Sequence, residues 1–385
     1  KSLLALFIVF SCYSYLNQVF YNEDVYTAAD YKSYPEDIID VLVLGSSHAQ
    51  YSFVPAFFYE ETGLYSYILG SSCQPLKVSY QMLKEGLKTQ SVKLVILEVY
   101  TSMPLKSVCA DDSCYVRAEY EMSQEEKYTT ISYLPEEKAE TYYNDFLNYH
   151  NNWRELSSLD KLLSPLQKRN NENEISFGYV YNEPAWNYKN FWYPNQFGYV
   201  EPATLEKEDE EALDNILQLC KEKKISLILY KSPMDGIDEE NQAYLEGVWK
   251  WANENEVPYI DFNKNAAACT YFMNVHSDSY HAYINGAFII TEKLTDLINS
   301  LSIPFDHRSN ATMDANYKKN AQHYTSRYLK YEVNPFIYLN RYINSSGYVI
   351  VRYTASDILP EENLQYALRQ IVGDGEDSFI IPKQS

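Results

Sequence analysis

Residues 38–44 (IIDVLVL) form a β-branched, nearly unbroken apolar run that stops at Gly45 and is followed by two serines and a histidine. Such a run is expected of a strand buried on both faces of a parallel sheet, because that strand has no side to give to water. Runs of similar length recur at 64–69, 94–99 (LVILEV), 225–230 (ISLILY) and 257–262. Helical patterns separate them at 55–62, 76–87, 205–221, 238–254 and 284–301. Parallel neighbours need long crossovers, usually helical, so the alternation predicts a parallel sheet wrapped by helices.

The expected fold class is therefore α/β, a three-layer flavodoxin-like arrangement with about five parallel strands, a long insertion and a small C-terminal α/β appendage. The core domain is placed at residues 37–302, with the insertion at 101–202, a linker at 303–335 and the appendage at 336–385. The insertion carries Cys109 and Cys114, a helical pattern around 136–166 and an aromatic stretch at 177–199. At the carboxyl edge of the sheet it is placed to shape a substrate site, and burial of its aromatics against the core is the other reading. The polar stretch 306–319 reads as linker or irregular structure. In the appendage, 348–353 (YVIVRY) reads as a strand and 360–372 as a helix.

The N-terminal 1–20 segment is apolar, unbroken over 3–10 (LLALFIVF) and less pure beyond. Its length approaches the ~20 residues that cross a bilayer. No basic cluster follows it, so the positive-inside rule puts the main body outside, beyond a linker at 21–36. A secretory signal would give the same topology, whereas the Ser, Asn and Gln of its second half leave a buried first helix as the alternative. An oxidising location in turn favours a small disulfide loop between Cys109 and Cys114, two thiols being the alternative.

Composition excludes some partners. A net charge of -21 rules against nucleic acid, whose phosphates require concentrated Lys and Arg. The charges are spread, and 46% of residues are hydrophobic, so the chain is globular over most of its length. Thirty-nine tyrosines against 12 glycines is an unusual balance. Tyrosine suits half-wet surfaces and carbohydrate contacts, but a compositional habit of the source proteome would produce the same count.

Two segments carry candidate chemistry. In VLVLGSSHAQ, at 41–50, a serine at the turn after a buried strand lies at the carboxyl edge of the sheet, exposed and near backbone amides, where it can attack an ester. Ordinary turn chemistry explains GSSH equally well. In SDSYHAYINGA, at 277–287, Asp278 and His281 are spaced so that the carboxylate can reach Nδ1 of the imidazole, fix its tautomer and stabilise the imidazolium. A helix cap is the plainer reading there. His48 reads as structural. His276, His307 and His323 form no spacing that recommends zinc, and no metal or cofactor is called for; His150 reads equally well as structural. Asp235, in a loop, is a pocket residue or merely solvated.

Taken together, GSS after the first strand, Gly70 closing the second in ILGSSCQP, and a late DxxH resemble the SGNH, or GDSL-type, hydrolase superfamily. The closest resemblance is to its membrane-anchored branch of cell-envelope acetyltransferases and D-alanine transfer proteins of teichoic acid. The segment YHNNWREL at 149–156 also resembles a motif of that branch. The resemblance implies Ser47 as nucleophile, His281 as base and Asp278 as its orienter. It implies an oxyanion hole from the amides of Ser47 and Gly70. The usual GxND asparagine has no counterpart after the third strand, and Gln74 is the side-chain amide that would replace it. It further implies an acylated polysaccharide or other acyl acceptor as substrate, and a membrane-bound O-acyltransferase as partner. A D-alanyl transfer protein and a non-catalytic cell-surface binding protein are the rival readings.

Overall fold

In the computed structural model, the described residues are 2–20, 31–32, 34–102, 114, 124–143, 176–182, 200–234, 237–264 and 281–331. The strands are β1 (Val41–Gly45), β2 (Ser66–Gly70), β3 (Leu94–Glu98), β4 (Ser226–Lys231) and β5 (Tyr259–Asp261). All pairings are parallel, in the order β2-β1-β3-β4-β5. This is a flavodoxin-like order. The strand direction of travel reverses between β1 and β3, which opens a crevice at their carboxyl ends.

Ten helices are described: α1 (Ser2–Phe20), α2 (Ser47–Ser52), α3 (Pro55–Thr62), α4 (Leu76–Gly86), α5 (Gln124–Ile131), α6 (Glu136–Tyr142), α7 (Lys207–Lys223), α8 (Glu239–Glu254), α9 (Ile284–Ser300) and α10 (Ala311–Tyr331). The two-residue period of the strands splits the core into two layers. Leu42, Leu44, Val95, Leu97, Leu227 and Leu229 face α4, α7 and α8. Val41, Val43, Leu94, Ile96, Ile228 and Tyr230 face α2, α3 and α9. Burial on both faces is why these strands read as continuous apolar runs.

The outer edge of β2 is covered by residues 176–182 of the long insertion, where Phe177 O accepts from Ile68 N at 3.0 Å. Covering an edge strand satisfies backbone groups that would otherwise template pairing with another chain. Phe177 and Tyr179 are buried there, so this part of the aromatic stretch serves the core. Trp186, Tyr188 and the aromatics after them lie outside the described residues, as does the expected appendage at 336–385.

One correction concerns the segment after the core. The polar stretch expected to be linker contains α10, which packs on α3 and α9. Tyr317 shows why a polar helix belongs there: its ring stacks on Phe177 at 3.7 Å and its hydroxyl donates to Ser66 O at 2.5 Å. Tyr59 and Tyr65 donate to Asp314 at the start of the same helix. Just before it, His307 Nδ1 meets Asp40 Oδ2 at 2.7 Å. Tyrosines bury their rings while their hydroxyls find partners, so the helix docks without an apolar stripe that hydropathy would reveal.

A second correction concerns cysteine. Cys114 is a buried thiol, so the expected Cys109–Cys114 disulfide is not formed. Cys73, in the loop after β2, is the disulfide-bonded cysteine among the described residues. Its partner lies outside them.

The first helix stands apart in character. Leu4, Leu6, Phe7, Ile8, Val9 and Phe10 are all more than half exposed. Among the described residues no helix is long and apolar enough to cross a membrane.

If α10 is part of the core, Tyr317→Ala should cost about 3–5 kcal/mol, the range for deleting a buried ring. Urea unfolding followed by circular dichroism reads this directly. A change within about 0.5 kcal/mol is what a linker residue would give.

Candidate active site

β1 ends at Gly45 because nothing larger fits. Its φ is +140°, and a Cβ would fall 2.7 Å from Glu98 Cβ. Across the pair, Gly70 also needs to be small, since a Cβ there would lie 2.8 Å from Gly45 O. The paired glycines bring the carboxyl ends of β1 and β2 together and turn the chain at once into α2. Ser46 caps that helix, its Oγ accepting from His48 N at 3.1 Å.

The same Ser46 hydroxyl donates to Glu98 Oε2 at 3.1 Å. Glu98, wholly buried, also accepts from Tyr100 N at 3.0 Å and Ser232 N at 3.3 Å through Oε1. Burial pushes its carboxyl upward, opposed by buried Lys231 at the end of β4 and by these three donors. Lys231, lowered by burial, donates to Ser232 O and lies over the Tyr100 ring at 5.3 Å. One polar cluster thus ties the ends of β1, β3 and β4 beneath α2.

Above it, Ser47 Oγ lies 2.7 Å from His281 Nε2, although 234 residues separate them. That is hydrogen-bond distance for a nucleophile and its general base. Ser47 is only 8% exposed, so the expected open hydroxyl is instead enclosed against the imidazole. His281 enters from the segment just before α9, whose N-terminal Ile284 N donates to Asn182 O. Asp278 lies outside the described residues, as do Asp235, His150 and His276. The structure therefore brings together Ser47, His281 and Gly70's strand end, while the third member of the expected triad goes undescribed.

Gln74 is close but occupied. Fully buried, its Nε2 donates to Ser79 Oγ at 2.9 Å and Leu69 O at 3.4 Å, and its Oε1 accepts from Ser71 Oγ at 3.1 Å. These bonds brace the loop after β2. Donation to an oxyanion would require one of the two from Nε2 to break.

Sequence reasoning missed the aromatic surroundings of the base. Tyr51 lies with its ring 4.4 Å from that of His281, and His48 at 5.0 Å. His48 is buried, stacked on Tyr100 at 3.7 Å, and its Nδ1 has no hydrogen-bond partner among the described residues. The signal for Tyr51 was present in its four-residue spacing from Ser47, which puts both on one face of a helix. Among the described residues no cluster of His, Cys, Asp and Glu could hold a metal ion.

Burial, helped by Lys231 and His281, holds the His48 imidazole well below its ordinary range. The folded protein therefore refuses a proton that the unfolded chain accepts below about pH 6.5. Stability from this group is fully present above that pH and is lost as pH falls toward the folded value. The loss grows steadily as pH falls below about 6.5. Urea midpoints across this window should fall more steeply for the natural protein than for His48→Phe, which keeps a ring against Tyr100 but does not titrate.

No family model matches the sequence, and no curated protein is detectably similar to it. Two solved structures are similar to parts of it. One, from Bacteroides fragilis NCTC 9343, is described provisionally as an acylhydrolase; it shares 13% identity over 71% of this chain and 94% of its own, with a TM-score of 0.35. The other, a GDSL-like lipase from Bacteroides thetaiotaomicron VPI-5482, shares 10% identity over 71% of this chain and 96% of its own, with a TM-score of 0.37. At TM-scores of this size neither likeness adds to what the sheet order and the Ser47–His281 pair show by themselves.

Proposed function

We propose that this chain is an extracytoplasmic serine-dependent acyl-ester enzyme of the SGNH type, acting on O-acyl, chiefly O-acetyl, groups of a cell-envelope polysaccharide. The observation that carries the reading is the 2.7 Å contact between Ser47 Oγ and His281 Nε2 at the carboxyl edge of the parallel sheet. A lone serine on a turn has an ordinary explanation. A serine and an imidazole brought from opposite ends of the core to hydrogen-bond distance has a much narrower one.

In the proposed reaction, Ser47 Oγ–H gives its proton to His281 Nε2 as the oxygen attacks the acyl carbon. The carbonyl oxygen becomes an oxyanion, with the backbone N–H groups of Ser47 and Gly70 as its proposed donors. Collapse breaks the ester bond. The departing alcohol oxygen takes the proton from the imidazolium, and the acyl group stays on Ser47. A second hydroxyl, from water or from a sugar, then repeats the sequence in reverse order and frees the serine. Asp278 is the proposed orienter of the imidazole.

Two observations support the extracytoplasmic reading. Cys73 is disulfide-bonded, which fits an oxidising compartment. The exposed apolar residues of α1 are suited to an apolar phase and form the proposed membrane anchor. A membrane-bound O-acyltransferase that delivers acyl groups is the proposed partner.

Ser47→Ala should abolish labelling by a fluorophosphonate probe and lower release of p-nitrophenol from p-nitrophenyl acetate by about 10⁴-fold or more. Its unfolding midpoint should move by no more than about 1 kcal/mol, since one hydrogen bond is lost. Full esterase activity in that variant would overturn the assignment. Adding a sugar acceptor and following acetylated product distinguishes transfer from hydrolysis.

A further inference from the structure

His281 is held by more than its bond to Ser47. The ring planes of Tyr51 and His281 are 31° apart at a centroid distance of 4.4 Å, so the tyrosine lays its face toward the imidazole. Both contacts come from one short helix. Ser47 and Tyr51 are four residues apart on α2, one presenting its hydroxyl to Nε2 and the other its ring to the flank of the same imidazole.

We propose that Tyr51 is a positioning residue for His281, its ring holding the imidazole toward Ser47 and favouring the cationic form that exists once the serine proton has moved. The role rests on the acyl-serine reading above. An aromatic face within about 6 Å of a cation attracts it through the ring quadrupole, and a neutral imidazole gains little from the same contact. The interaction is therefore stronger in the transition state than in the resting enzyme, which is the condition for it to accelerate the chemical step.

The other described neighbours cannot take this part. His48, 5.0 Å away at 45°, is kept neutral by burial, and any charge on it would oppose the imidazolium. Lys231 of β4, over the Tyr100 ring, also opposes a charge on His48. Glu98 of β3 is engaged with Ser46, Tyr100 and Ser232. Tyr179, reaching toward Tyr51 from the insertion, is held protonated by burial. Ser47 is the hydrogen-bond partner itself. Tyr51 is the group among these whose interaction grows more favourable when His281 gains its proton.

The test is an NMR titration of His281 in protein labelled at histidine, run alongside pH profiles of p-nitrophenyl acetate hydrolysis. Tyr51→Leu should lower the His281 midpoint by about half a pH unit and move the acid limb of kcat/KM down by the same amount. Its plateau should fall about two- to threefold. Tyr51→Phe should restore the midpoint, because the ring is kept, and Tyr51→Trp should hold or raise it. A merely structural tyrosine would lower the plateau without moving the midpoint. An unmoved midpoint in Tyr51→Leu, or a Phe variant displaced as far as Leu, would overturn the proposal. The same substitutions in a Ser47→Ala background separate this outcome from failure of the enzymatic reading, since the titration there reads the Tyr51 contact with no turnover at all.

Discussion

The carboxylate of Glu98 fixes the geometry on which everything above the sheet depends. Buried without solvent, it gathers the Ser46 hydroxyl and the amides of Tyr100 and Ser232, which belong to the ends of three different strands. Removing one of these donors would leave a buried carboxylate oxygen short of a hydrogen bond, at a cost of about 1–3 kcal/mol. The two serines of GSS divide the work: Ser46 faces down and binds the strand ends, so Ser47, one residue on, faces across to His281.

Glycine enters the same logic at two positions. Glu98 approaches so closely that any side chain at residue 45 would strike its Cβ, and β2 approaches so closely that any at residue 70 would strike Gly45 O. Close backbone approach at these strand ends thus fixes where the chain turns from β1 into α2.

The strands were legible because burial on both faces leaves an apolar run that no loop would keep. The Ser47–His281 meeting was legible for a related reason: both residues directly follow or precede core elements whose ends had to share one edge. Other features were hidden by the same physics that stabilises them. Helix α10 docks through tyrosine rings with satisfied hydroxyls, and its sequence reads as polar. Gln74 looked available because its residue type is a donor, whereas Ser79 and Leu69 already use that donor. The spacing of Cys109 and Cys114 advertised a loop, yet Cys114 is a buried thiol. Local spacing carries little information about partners that arrive from distant parts of the chain.

The electrostatics around the base follow from where charge is allowed. A chain of net charge -21 keeps most of its acids in water, but it buries Lys231 and Glu98 below the nucleophile turn. Burial disfavours a cation at His48, and Lys231 fixed nearby adds to that effect. Position 48 therefore contributes a neutral ring stacked on Tyr100. His281, half-buried, is the imidazole of this cluster that is hydrogen-bonded to Ser47. The buried network thus does more than hold strand ends: it also keeps the position-48 imidazole uncharged beside the Ser47–His281 contact.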